Sequence, residues 1–295
     1  MGGGGTSVYL LDMATSVRTA NVSSLGRLLR HWRDARGLSQ LGLALRARVS
    51  ARHLSFVETG RSQAGRDLVL RLASAMDLPL RDRNAALTAA GYAPVFRHGS
   101  LQTPEMEPVA RAVDFMLRKQ EPYPAMVVDR LCNILKMNEA SGRFLRLFLD
   151  PLPHGSLNIV RLLLEPGPVR AAVLNWSEVA ERIIVRLRRD LLAGPDCPEL
   201  GAMLDELSAR VPELPGTGRA LAPDASAPPV VPTEFRLGDR RLRLFTTLTS
   251  FGSPQDVTLQ ELKIECSFPA DDATDAYLRE AAVAPHASLE SAVLR

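Results

Sequence analysis

Apolar residues recur at helical spacing through the first hundred residues and alternate in short runs toward the end of the chain. Leu25, Leu28, Leu29 and Trp32 put one apolar face on a helix from Leu25 to Arg36, which Gly37 ends. Leu43, Ala44 and Ala47 do the same behind Ser39, and Leu54 and Val57 behind Ser50; both serines are suited to cap a helix start. Leu68, Leu72 and Ala75 mark a fourth helix over Arg66 to Met76. Pro79 opens a fifth, Leu80 to Ala90, which Gly91 closes. Ala44 is small enough for the second and third helices to cross closely, as in a helix-turn-helix.

The pattern changes after a linker at residues 98–104. A helix is predicted from Glu105 to Lys119, with Val109, Ala112, Val113 and Met116 on its buried stripe. Two short strands follow, Ala125 to Asp129 and Asn133 to Met137, around a tight turn at Arg130 to Cys132. Helical segments are predicted over Glu139 to Leu149, Asn158 to Leu164, Trp176 to Leu192 and Pro198 to Arg210, and a long loop over Val211 to Pro232. Strands are expected at Glu234 to Leu237, Leu242 to Thr249 and Leu259 to Ser267, with Gly238-Asp239 as a hairpin turn and a last helix from Ala273 to Ala282. Leu242, Leu244, Thr246 and Leu248 share one face of the middle strand. The expected organisation is a flexible leader at 1–22, an all-α five-helix domain at 23–97, an α+β domain with an antiparallel sheet at 105–285, and a loose tail at 286–295.

Charge sharpens this division. Residues 24–98 hold thirteen Arg and no Lys against five acidic residues, about +8, whereas the rest holds 23 basic and 28 acidic groups, about −5. A basic head on a mildly acidic body fits a polyanion-binding module joined to one that does not bind nucleic acid. The three cysteines, Cys132, Cys197 and Cys266, have neither metal-ligand spacing nor a disulfide framework, which points to a reducing cytoplasm. The start lacks the basic region of a signal peptide, and no uncharged apolar run approaches the roughly 18 residues of a membrane span.

The string Val49-Ser50-Ala51-Arg52-His53-Leu54-Ser55-Phe56-Val57-Glu58-Thr59-Gly60-Arg61-Ser62 resembles the DNA-binding domain of phage-repressor-like (XRE) regulators, and within them the MmyB-like branch. Val128-Asp129-Arg130, Asn158 to Leu164, Asn175-Trp176 and Phe251 to Leu259 are similar to that family too, so the resemblance spans residues 24–282. It implies a transcription regulator with a PAS-like ligand-binding domain, and an expected link to secondary-metabolite control. It also implies that Gln40 touches a phosphate, that Ala51, Arg52 and Phe56 contact bases with Ser55 nearby, and that Arg33 pairs with Glu58. Two positions depart from the wider family: Arg48 stands where Gly is favoured, and Ala64 where Pro is frequent. A left-handed backbone at Arg48 would cost roughly 1 kcal/mol.

Double-stranded DNA is therefore the expected partner, with a homodimer as the expected assembly. Arg52, at the start of the second helix of the motif, has the fork that pairs with guanine O6 and N7, or else holds a phosphate. Phe56 either touches a thymine methyl or packs beneath the following loop. Ser50 and His53 lie on the same face and suit the backbone more than base edges; Arg61, Ser62 and Arg66 suit phosphates.

For the second domain the expected ligand is a small apolar molecule, a fatty acid being the best match to an aliphatic lining. The candidate wall residues are Met126, Val128, Ile134, Phe144, Phe148, Trp176, Ile183, Leu244 and Leu248, with Arg243 or Arg130 for a carboxylate. Each wall residue also suits an ordinary packed core, in which case the domain only dimerises. No cofactor, no metal and no membrane partner are indicated. No phosphate loop, nucleophile elbow or metalloprotease motif occurs, so an enzyme is not expected.

Overall fold

The computed structural model describes residues 24–153, 155–193, 197–214 and 230–283. The expected leader, the tail, His154 and most of the Val211 to Pro232 loop lie outside these. The described chain divides into two units, the first made of residues 24–98 with 192–193 and 254–260, the second of the remainder. Among the described residues no helix is long and apolar enough to cross a membrane.

The first unit is helical: α1 (residues 24–35), α2 (Gln40–Arg46), α3 (Ala51–Glu58), α4 (Arg66–Ala75) and α5 (Leu80–Ala89). Each start reflects local chemistry. Ser39 Oγ accepts from Gly42 N at 3.0 Å and Ser50 Oγ from His53 N at 3.1 Å. The core gathers Leu29, Leu43, Leu54, Val57, Leu72 and Leu87, all fully buried, around Trp32. Arg48 lies in the left-handed region at φ 54°, the strained conformation a glycine would relieve. Gly60, at φ 75°, ends α3 in a conformation that a side chain disfavours. α1 meets the end of α3 at Gly26, where an added Cβ would stand 2.3 Å from the Glu58 carbonyl oxygen. Only glycine allows that approach.

In the second unit α6 (Glu107–Gln120) leads to a five-stranded antiparallel sheet of order β2-β1-β5-β4-β3. The strands are β1 (Ala125–Val128), β2 (Ile134–Met137), β3 (Thr233–Leu237), β4 (Arg240–Thr249) and β5 (Lys263–Pro269). Between β2 and β3 run α7 (Glu139–Arg146), α8 (Ile159–Leu164), α9 (Pro168–Ala172), α10 (Trp176–Ala193) and α11 (Pro198–Arg210); α12 (Val257–Glu261), most of which belongs to the first unit, precedes β5, and α13 (Asp272–Val283) ends the described chain. The core joins α8, α10 and α11 to one sheet face through Leu164, Ile184, Leu187, Leu207 and Leu242. Both outer strands are bridged at one point by loops. Asn133 of the β2 side pairs with Asn158, and Phe235 of β3 with Val173.

The five-helix head followed by an α+β sensor-type domain is thus the observed architecture. Four local expectations are corrected. Residues 259–261, expected to begin the last strand, belong to a helix instead, because Asp256 Oδ1 accepts from Thr258 N and Leu259 N and caps its start. α9 was not expected. α6 buries Val113 and Leu117, whereas Ala112 is exposed and Met116 half-exposed. The shared face of β4 is covered only at Leu242 and Leu244; Leu248 is 43% exposed.

Candidate functional site

Two sites follow from this frame. The first is the outward face of α3. Leu54 and Val57 turn inward, which leaves Arg52 exposed and Ala51, His53, Ser55 and Phe56 half-exposed beside the capping Ser50. The guanidinium of Arg52 lies over the Phe56 ring, 5.4 Å from its centroid, so these two neighbours one turn apart form one surface. Past Gly60 the chain doubles back: Arg61 N and Ser62 N both donate to the Phe56 carbonyl, at 2.8 and 3.1 Å. This fixes Arg61 and Ser62 at the end of the helix, and exposed Arg66 starts α4.

The one acidic residue of α3, Glu58, is removed from this face. Its side chain is fully buried and accepts from Arg33 Nε at 2.8 Å and Nη2 at 3.3 Å. Gln40 Nε2 donates to its other side at 2.8 Å. The side-chain hydrogen bond that Arg33 donates to Glu58 is the largest cause that raises Arg33 above the ordinary arginine range, offset in part by burial. Gln40, expected to meet a phosphate, is half-exposed at the start of α2 and spends one amide N–H on Glu58. A buried carboxylate needs several donors, and Gln40 supplies a neutral one. The result is an α3 whose exposed face carries positive charge only.

The second site is a cavity of about 80 Å³ between the sheet and α7, α8 and α9. Met126, Phe144 and Leu244, expected at the wall, are there, with Leu145, Ile159, Leu163, Val169 and Phe235. Six other candidates sit elsewhere. Val128 and Ile183 are buried in the core, and Ile134 lies half-buried on β2. Phe148 packs behind the wall, 5.5 Å from Phe144 and 5.6 Å from Phe235 between ring centres. Trp176 donates Nε1–H to the Leu163 carbonyl at 2.8 Å, with the Arg170 guanidinium 3.9 Å above its ring. Leu248 lies past the covered part of β4.

Neither expected cation reaches the cavity. Arg243 is tied to Glu234 at 3.1 Å and Asp271 at 3.7 Å; Arg130 reaches Cys197, Glu199 and Glu261. Sequence reasoning missed the polar part of the wall, which is Ser141, Thr233, Thr246, Ser267 and Glu265. The available signal was a lone carboxylate inside the apolar run Ile264-Glu265-Cys266. Among the described residues no cluster of His, Cys, Asp and Glu could hold a metal ion.

Comparison with known proteins covers both units. A helix-turn-helix domain model matches residues 24–86, and a model described as the MmyB-like transcription regulator ligand binding domain matches residues 109–281. No curated protein matches the chain. A solved structure titled "Structure of an RNA-binding Light-Oxygen-Voltage Receptor" aligns over 96% of this chain and 68% of that one, at 11% identity and a TM-score of 0.23, a likeness too slight to carry an argument. The ligand-binding model alone covers more than half of the sequence: the chain belongs to the MmyB-like transcription regulators, a helix-turn-helix DNA-binding domain joined to a ligand-binding domain.

Proposed function

We propose that this regulator reads double-stranded DNA sequence-specifically through α3, as a homodimer in the cytoplasm, under control of a small apolar molecule held in the second unit. The observation that carries the DNA reading is the α3 face itself, with Arg52 stacked on Phe56 and the only carboxylate of the helix buried behind it. In this reading Arg52 contacts guanine, Phe56 and Ala51 border it, and Ser55 lies within reach of the same bases. Ser50, His53, Arg61, Ser62 and Arg66 hold the backbone and set register. Two copies would occupy half-sites about one helical turn, roughly 34 Å, apart. Catalysis has no part in it.

Support for the ligand comes from the apolar cavity beneath the sheet. Control by a ligand requires different affinities for the DNA-competent and incompetent states. A second reading, in which this domain only dimerises, draws on the cavity's size: about 80 Å³ is small beside the roughly 300–1,000 Å³ of drug-sized sites. Two measurements test the proposal. Selection from a randomised duplex library should return a consensus with two related half-sites; an unstructured pool refutes sequence-specific reading. Native mass spectrometry of the purified chain should show a dimer carrying an apolar small molecule. Bare dimer that takes up no apolar probe favours the second reading.

A further inference from the structure

The sensor cavity has a polar end, and its composition constrains what can bind. Glu265 of β5 stands across from Met126 of β1 on one side and Leu248 of β4 on the other, on the central strand of the sheet at one end of the cavity wall. Its side chain is 10% exposed, and Oε1 holds Arg186 Nη1 of α10 at 3.3 Å. The other oxygen makes no hydrogen bond or ion pair among the described residues. Of the neighbouring hydroxyls, Ser141 Oγ donates to the Ala125 carbonyl at 2.8 Å, and Thr246 and Ser267 share one hydrogen bond at 3.1 Å. Among the described lining residues, Glu265 is the only charged one.

A carboxylate at this wall meets a like charge in an apolar enclosure, where repulsion is weakly screened. A neutral hydroxyl or amide N–H instead gains a hydrogen bond to a charged acceptor, about twice as strong as one between neutral groups. An ammonium is attracted by the same carboxylate but must give up its hydration shell to enter an apolar cavity, a cost that a neutral head group escapes. Resting on the cavity reading above, we propose that the ligand is a compact amphiphile whose polar end is a neutral hydrogen-bond donor, an alcohol or amide, selected by Glu265. The fatty acid expected from the aliphatic lining is then disfavoured at its head group.

The test compares hexanol with hexanoate by titration calorimetry on the full chain, in the native protein and in Glu265→Gln. Short chains suit a cavity of about 80 Å³. Hexanol should be the tighter ligand of the native protein, by about tenfold or more. Preference for an alcohol alone would follow from any apolar site, so the decisive quantity is its change. In Glu265→Gln the ratio should fall about tenfold, because the repulsion is gone and Arg186 is released to pair a carboxylate. If the variant does not fold, Arg186→Gln keeps the carboxylate and removes its partner, and the ratio should rise about threefold or more. A ratio unmoved by these substitutions, or hexanoate as the tighter native ligand, overturns the inference and leaves the cavity reading standing. Failure of both probes to bind the native protein overturns the cavity reading as well.

Discussion

Replacing Arg33 by Met tests whether α3 is held by a buried ion pair. In the native protein the Glu58 carboxylate, with no exposed side-chain surface, takes two hydrogen bonds from Arg33 and one from Gln40. Arg30 approaches only to 3.8 Å, from a side chain that is 52% exposed. Removing Arg33 strands a buried charge on one neutral donor. Breaking such pairs costs about 3–5 kcal/mol, and Gln40 and Arg30 place this case near 3 kcal/mol. For a head of this size that lowers its Tm by on the order of 10–20 °C.

Trp32, 2% exposed in the head's core, reports the transition, and a Trp176→Phe background leaves it as the only tryptophan. Urea unfolding followed by its fluorescence gives the loss directly. The second arm is Arg33→Met with Glu58→Leu, which removes the charge along with its partner and should recover most of the stability. A single-variant loss below about 1 kcal/mol would class the pair with surface ion pairs and refute the argument. So would a double variant no more stable than the single one.

Other outcomes follow from the same coordinates. Arg52→Ala should relax base preference at one position by about 1–3 kcal/mol, whereas Arg61→Ala should weaken all duplexes alike and reduce the salt slope by about 1; quantitative gel shifts over a salt series separate them. Equal behaviour would dissolve the distinction between reader and anchor. Gly26→Ala should destabilise the head by several kcal/mol, about the scale of overpacking or more, because the new methyl meets backbone at 2.3 Å; a thermal melt within 2 °C or so of native would contradict it.

Burial pushes the Cys132 thiol up to about 11 from 9.0. The folded state therefore retains this proton more tightly than the unfolded one. The stabilisation is complete below pH 9 and lost as pH rises toward 11. Urea unfolding of the second unit at pH 8 and 10.5 should show a drop of up to about 2–3 kcal/mol that Cys132→Ala removes. A drop of the same size in that variant would assign it to other groups.

The readable parts of the chain were those written in local chemistry. Ser39 and Ser50 cap as serines before apolar repeats do, and Arg33 with Glu58 sits at family positions that the structure fills with a 2.8 Å bond. What escaped depended on partners distant in sequence. Gln40 looks like a solvent-facing helix start until Glu58, eighteen residues on, is seen to claim its amide. Gly26 resembles any helical glycine until α3 lies against it. Residues 259–261 read as the start of a strand, but the Asp256 side chain made a helix the better-satisfied backbone. The cavity's greasy wall was partly legible from Met126, Phe144 and Leu244, whereas aromatic size misled at Trp176 and Phe148. Their rings pack just as well away from a cavity, and Trp176 also needed an acceptor for its N–H, which the Leu163 carbonyl supplies.

The bridges at the two ends of the sheet bear on how copies of this chain can meet. A strand whose backbone groups are unclaimed invites a neighbour to continue the ladder, and so leads to open-ended stacking. Here Ile134 N is spent on the Leu157 carbonyl at one margin, and Leu174 N takes the Glu234 carbonyl at the other. With both margins partly sealed, a contact between copies would have to form through side-chain surfaces, which are not bound to repeat along a ladder.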